Sequence, residues 1–106
     1  MKTKWIKQEI KGKTLEWGKV SPHKMKWEQA KIWCEKQGGR LPTSAELLHA
    51  YEQKVEGFGI AHYWTGTPLL HTTDSGLAKC VFFHFGWVSS ERKTTLCYVR
   101  CVRDVK

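Results

Sequence analysis

The chain has 106 residues, 41% hydrophobic and 12% aromatic, with 18 Lys and Arg against 10 Asp and Glu for a net charge of +8. That length gives a single domain over residues 1–106, able to bury roughly two-thirds of its unfolded surface but too small for a multi-site enzyme. Six Trp, four Phe and three Tyr exclude a disordered segment, and no apolar run approaches the ~20 residues of a membrane span.

In chain order, residues 5–10 and 14–20, separated by Lys11-Gly12-Lys13, read as an N-terminal hairpin. Ser21-Pro22 interrupts before residues 25–37, where Trp27, Ala30 and Cys34 recur at helical spacing and Trp33 widens the apolar stripe. Gly38-Gly39 supplies the positive φ that ends this helix. Thr43-Ser44-Ala45-Glu46 is a capping box for a second helix, with Leu47, Leu48 and Tyr51 on its buried face and Gly57 and Gly59 closing it. The pattern then turns to strands at residues 62–65, 78–85 and 96–102. The last two are expected to form an antiparallel pair across a polar loop over residues 86–94. Hairpin, two helices and strands in that order give an α+β class.

Charge is unevenly placed: +7 over residues 1–40, −2 over 41–90 and +3 over 91–106. A basic surface speeds encounter with anionic partners, although scattered lysines serve solubility equally well. Fourteen Lys against four Arg argues against bidentate readout of bases. Four cysteines in an exported chain of this length would suggest two disulfides. The first twenty residues are basic and lack the apolar stretch of a secretory signal, so the expected compartment is a reducing cytoplasm and the expected state is free thiols.

Cys80, His84, Cys97 and Cys101 invite a zinc site. Ligands four residues apart along a strand sit ~13 Å from each other, too far for one ion to hold both, so neither a metal nor another cofactor is expected. Cys97 and Cys101 share a strand face, and Cys34 lies on the first helix's apolar stripe. A helix packed on the sheet would bring Cys34 near Cys101 and Cys80 near Cys97 as candidate disulfides; alternatively all four are small buried hydrophobes. His23, His49, His62, His71 and His84 belong to no nucleophile motif, and there is no Gly-rich phosphate loop, HExxH or GxSxG, so catalysis is not expected. Trp27, Trp33 and Trp64 are assigned to the core. Trp87, in the polar loop, is assigned to the surface as a binding anchor, and Trp5 and Trp17 fit either place.

Three stretches taken together, residues 27–34 (WEQAKIWC), 39–47 (GRLPTSAEL) and 98–103 (YVRCVR), with Tyr63-Trp64-Thr65-Gly66-Thr67 between them, carry a resemblance. The chain, from about Leu15 to Arg103, resembles the bacterial and phage domain-of-unknown-function family typified by the Legionella collagen-like protein C-terminal domain, which is similar to C-type lectins. The resemblance implies two helices packed on a twisted antiparallel sheet in which the N- and C-terminal strands pair. It places Leu41 as a core plug, Thr43 as a cap, Cys34 beside Cys101 and Cys80 beside Cys97. The Glu-Pro-Asn and Trp-Asn-Asp motifs of calcium-dependent lectins are absent, Gly86-Trp87-Val88-Ser89-Ser90 standing in the corresponding stretch, so the implied recognition is calcium-independent.

The expected function is a non-enzymatic recognition module that binds a macromolecule, foremost a protein, in one version as a phage-encoded modulator of a host protein. Its surface is the long-loop region over residues 65–76 and 86–94. Trp87 is the anchor, Arg92 and Lys93 supply charge, and Ser89, Ser90 and His71 complete the contact. The alternative is nucleic-acid or polyanion binding by the basic N-terminal third, through Lys2, Lys4, Lys7, Lys11, Lys13, Lys24 and Lys26.

Overall fold

Lys11 and Gly12, with φ of 44° and 79°, make the tight turn that twists two strands together, as a two-residue hairpin loop requires. It joins β1 (Ile6–Ile10) to β2 (Lys13–Val20) in the computed structural model, which describes residues 5–67 and 76–105. The remaining elements are α1 (Trp27–Lys36), α2 (Ser44–Glu52), β3 (His62–Trp64), β4 (Leu77–Phe82), β5 (Trp87–Arg92) and β6 (Arg100–Val105). The described residues form an α+β fold with two helices and two antiparallel three-stranded sheets, ordered β1-β2-β6 and β3-β4-β5. No described helix is long and apolar enough to cross a membrane.

Both helices begin and end for local reasons. At α1 the Gln29 side chain accepts from the Lys26 N–H (3.1 Å), and Gly38 at φ 86° lets the Gly39 N–H close on the Cys34 carbonyl (3.0 Å). At α2 the capping box is reciprocal: Glu46 N–H donates to Thr43 Oγ1 (3.1 Å), and Thr43 N–H donates to Glu46 Oε1 (2.8 Å). The expected closure by Gly57 and Gly59 is corrected. Lys54, at φ 54°, takes the left-handed position, and Val55 N–H reaches back to the Ala50 carbonyl (3.1 Å).

The strand pairing also differs from expectation. Residues 86–94 are not a loop: β5 occupies most of them and pairs with β4 in register from Leu77↔Arg92 to Phe82↔Trp87. The expected strand over 78–85 stops at Phe82, because Phe83–Gly86 is needed for the turn. The C-terminal strand pairs with β2 (Thr14↔Val105 to Val20↔Arg100) instead of with β4. The N-terminal hairpin and C-terminal strand do share a sheet, with β2 at its centre.

The interior has two clusters. One joins Met25, Ala30, Cys34, Leu41, Trp64, Ala78, Cys80, Cys97, Val99 and Cys101; the other joins Leu15, Trp17, Leu47, Ala50, Tyr63, Val81 and Val102. Leu41 is a core plug as expected. Trp17 is fully buried, its indole N–H donating to Gln8 Oε1 (2.7 Å), whereas Trp27 and Trp33 are only half-buried at the rim of the first cluster.

Candidate functional site

The run Phe82-Phe83-His84-Phe85-Gly86-Trp87 is divided by the β4–β5 turn into one inward ring and several outward ones. Gly86, at φ 71°, makes the turn, with its N–H on the Phe82 carbonyl (2.8 Å) and its Cα against the Tyr51 ring. Phe83 points inward and stacks on Phe58 (4.1 Å, 15°), with Tyr51 and Tyr63 edge-on to it. The outward rings form a row. His62 stacks on Phe82 (4.4 Å, 11°), Phe82 meets Phe85 edge-on (5.9 Å), and Phe85 stacks on Trp87 (4.6 Å, 27°). His84 packs against Phe85 at 4.1 Å.

Beside the row lies a recess of about 300 Å³ lined by Lys24, Ile60, Ala61, His62, Phe82, Leu96, Cys97 and Tyr98. Trp87 is 63% exposed and Phe85 50%. Ile60, Phe85, Trp87 and Leu96 are four of the seven large apolar residues left exposed among the described residues, so exposed apolar surface is concentrated at this end. A continuous patch of this kind marks an interaction site more often than does a scatter of single residues. Neither row nor recess contains a carboxylate; the formal charge they bring is that of Lys24, beside the imidazoles of His62 and His84.

The expected site residues are only partly brought together. Trp87 is exposed at the start of β5, and Ser90 and Arg92 are exposed further along it. Ser89 and Lys93 require correction. Ser89 lies on the opposite strand face, its Oγ 3.2 Å from Cys80 Sγ. The Lys93 ammonium rests 4.3 Å from the Trp27 ring centroid, and its carbonyl accepts the Trp27 N–H (3.1 Å), so Lys93 is turned toward α1. His71 lies outside the described residues, as do Lys2 and Lys4.

Of the other lysines, Lys7 sits opposite Glu16 across the hairpin, Lys11 is in the turn, and Lys13 lies between Glu46 (3.4 Å) and Asp104 (3.5 Å). Lys24 approaches the Tyr98 ring (5.8 Å), and Lys26 caps α1. They are divided between the β1–β2 hairpin and the segment before α1, and Lys13 is already committed to an ion cluster.

All four cysteines are buried free thiols that meet as Cys34 with Cys101 and Cys80 with Cys97. The hydrogen bond to Cys101, with burial, pushes the Cys34 thiol pKa up. The Cys97 thiol is likewise pushed up by its bond to Cys80, while Cys80 is lowered by accepting from Cys97 and Ser89 against its burial.

Arg100 was not singled out by the sequence. It is 2% exposed, donating from Nε to the Gly18 carbonyl (2.7 Å) and from Nη1 to the Glu56 carbonyl (2.6 Å), with the Phe58 ring 4.5 Å away. Burial pushes its pKa down to about 10, still well above neutrality, so it is a charged pin between β2 and the segment after α2. A cation inside a strand flanked by buried Val99 and Cys101 is the signal that identifies it.

No protein-family model matches the chain. Among curated proteins it is similar to the DNA dC->dU-editing enzyme APOBEC-3G of Erythrocebus patas, at 29% identity over 90 residues, 67% of this chain and 24% of that protein. The chain thus spans about a quarter of the curated relative it matches. The expectation that the chain is not an enzyme is overturned by this finding, because the matched protein is an enzyme. Zinc-dependent nucleobase deaminases carry an H-x-E with a P-C-x-x-C. Neither string occurs here, and the described residues bring no three His, Cys, Asp or Glu side chains together as a metal site. The residues present do not fit that chemistry.

Proposed function

We propose that the chain is a recognition domain of C-type-lectin-like fold that binds a protein partner through its β4–β5 end, with Trp87 as anchor and Phe85, Ile60 and Leu96 around it. The observation that carries this reading is the outward row His62-Phe82-Phe85-Trp87 running into a recess where Ile60, Leu96 and Tyr98 stand beside Lys24. Large, stiff aromatic side chains with few rotamers lose little entropy when covered, which is why they anchor protein interfaces. The fold reading is supported by the sheet shared by N-terminal hairpin and C-terminal strand, the two intervening helices, the smaller second sheet and the two thiol pairs. A reducing compartment such as the cytoplasm suits thiols in that state.

The test is affinity capture from a host lysate with the parent chain and the Trp87→Ala variant. The variant should lose the captured protein while keeping its far-ultraviolet circular dichroism and melting temperature. Capture that survives Trp87→Ala and Phe85→Ala together would sink the reading.

A second reading, nucleic-acid or polyanion binding through Lys7, Lys11, Lys24 and Lys26, is favoured by the similarity to a protein named for editing DNA and by the +8 charge. Phosphate-driven binding falls steeply between about 50 and 200 mM salt, whereas an aromatic-anchored protein interface does not. A salt titration separates the two.

A further inference from the structure

β5 forms an edge of its sheet, pairing only with β4 among the described residues. The hydrogen bond from Lys93 N–H to the Gly76 carbonyl (2.8 Å) fixes the phase of that ladder. In an antiparallel pair the bonded positions alternate, so Trp87, Ser89 and Glu91 exchange bonds with β4 while the N–H and C=O of Val88, Ser90 and Arg92 point away from it. The Arg92 carbonyl is taken by Thr95 N–H (2.8 Å). Among the described residues, the amide groups of Val88 and Ser90 and the Arg92 N–H are left as an outward row of donors and acceptors.

Resting on the reading of this end as a protein-binding surface, we propose that the partner adds a strand to β5. A bare edge can be satisfied by another extended polypeptide, because a peptide backbone offers donors and acceptors alternately at the same spacing. The side chains around it specify what kind. On one face Val88, Ser90 and Arg92 stand in a line, with Lys79 on β4 directly opposite Ser90. On the other face Trp87 begins the line. Cross-strand neighbours share a face, so the entering segment carries acidic residues on the face of Arg92 and apolar ones on the face of Trp87. The occupant is an extended acidic segment of a partner protein in which charged and apolar residues alternate. A second copy of this chain does not offer such a segment at this edge, because β5 carries a single acid, Glu91, beside Arg92.

The test is selection from a random ten-residue peptide library against the folded chain, followed by backbone-amide exchange with a selected peptide bound. Selected peptides should alternate acidic and apolar residues, and binding should slow exchange at Val88 and Ser90 by about ten-fold or more. Ser90→Pro removes an outward N–H that β4 does not use, a position where edge strands tolerate proline, and should weaken binding by about ten-fold or more. Should that variant not fold, Arg92→Glu tests the charge and should weaken binding by about five-fold.

Peptides that bind while the Val88 and Ser90 amides exchange freely overturn the proposal, as does full affinity in a folded Ser90→Pro chain. Failure to enrich any peptide overturns it too. Protection of these amides on concentrating the chain alone assigns the edge to a second copy and overturns it likewise. Loss of binding in Trp87→Ala with none in Ser90→Pro removes the strand addition and leaves the aromatic surface standing; if neither variant matters, both readings fall.

Discussion

Replacing Arg100 by Met removes a buried charge while restoring most of the side-chain volume, so the outcome weighs hydrogen bonds against desolvation. The bond to Gly18 is fully buried, and its orphaned carbonyl would cost about 1–3 kcal/mol. The Glu56 carbonyl lies partly in solvent and can turn to water, so its loss costs about 0.5–1.5 kcal/mol. Losing the cation from the Phe58 face adds about 1 kcal/mol. Relief of the burial that depresses the guanidinium pKa to about 10 works in the opposite direction. The balance is a destabilisation of about 2–3 kcal/mol, or a fall in melting temperature of roughly 10–20 °C for a domain of this size. Urea unfolding followed by circular dichroism measures the first quantity and a thermal melt the second. Amide exchange should also quicken around Gly57, which packs against the guanidinium. A loss below about 0.5 kcal/mol would mean that both carbonyls find other partners and that Arg100 pins nothing.

Other outcomes follow from the same physics. Burial raises the Glu46 pKa, but hydrogen bonds from Arg40 and Thr43 and the charges of Arg40 and Lys13 outweigh it; Arg40 holds Asp104 low as well. Carboxyls depressed in the folded state stabilise it fully above their ordinary values of 4.5 and 3.8, and that contribution is lost as pH falls through the lower folded values. Melting temperature should therefore drop in acid, and Glu46→Gln should melt lower at neutral pH, by about 1–2 kcal/mol, with a flatter acid limb. Gly86→Ala would put a Cβ 2.9 Å from Tyr51 Cδ2 at a φ of 71°; the strain and overpacking should cost about 2–4 kcal/mol in urea unfolding. An unchanged midpoint would show that the turn re-forms elsewhere. Under oxidised glutathione the thiols should disappear in the pairs 34–101 and 80–97 on peptide mapping, and a scrambled pattern would contradict the contacts.

The helices and first hairpin were legible because each carries its own punctuation: Lys11-Gly12 for the turn, Gly38 for the end of α1, and Thr43 with Glu46 for the start of α2. β5 was not, since Trp87-Val88-Ser89-Ser90-Glu91-Arg92 has no apolar alternation; an edge strand that buries none of its residues needs none. The pairing of β6 with β2 joins residues some ninety positions apart, and nothing local announces a partner at that distance. Trp87 was placed outside correctly but for a loop's reason, while Ser89 and Lys93, adjacent in sequence to exposed residues, point inward or lie against Trp27. The run of aromatics from Phe82 to Trp87 was not singled out, because only the turn decides that Phe83 goes in and the others out.

β6 has one further consequence. Cys101 completes one interior cluster and Val102 the other, Arg100 holds the segment after α2, and the Val102 backbone bridges to Arg40 before α2. During synthesis, the hairpin and both helices emerge from the ribosome long before the strand on which both interiors close. The nascent polypeptide therefore carries open hydrophobic faces until that strand is free, the interval in which chaperone capture or aggregation competes with completion.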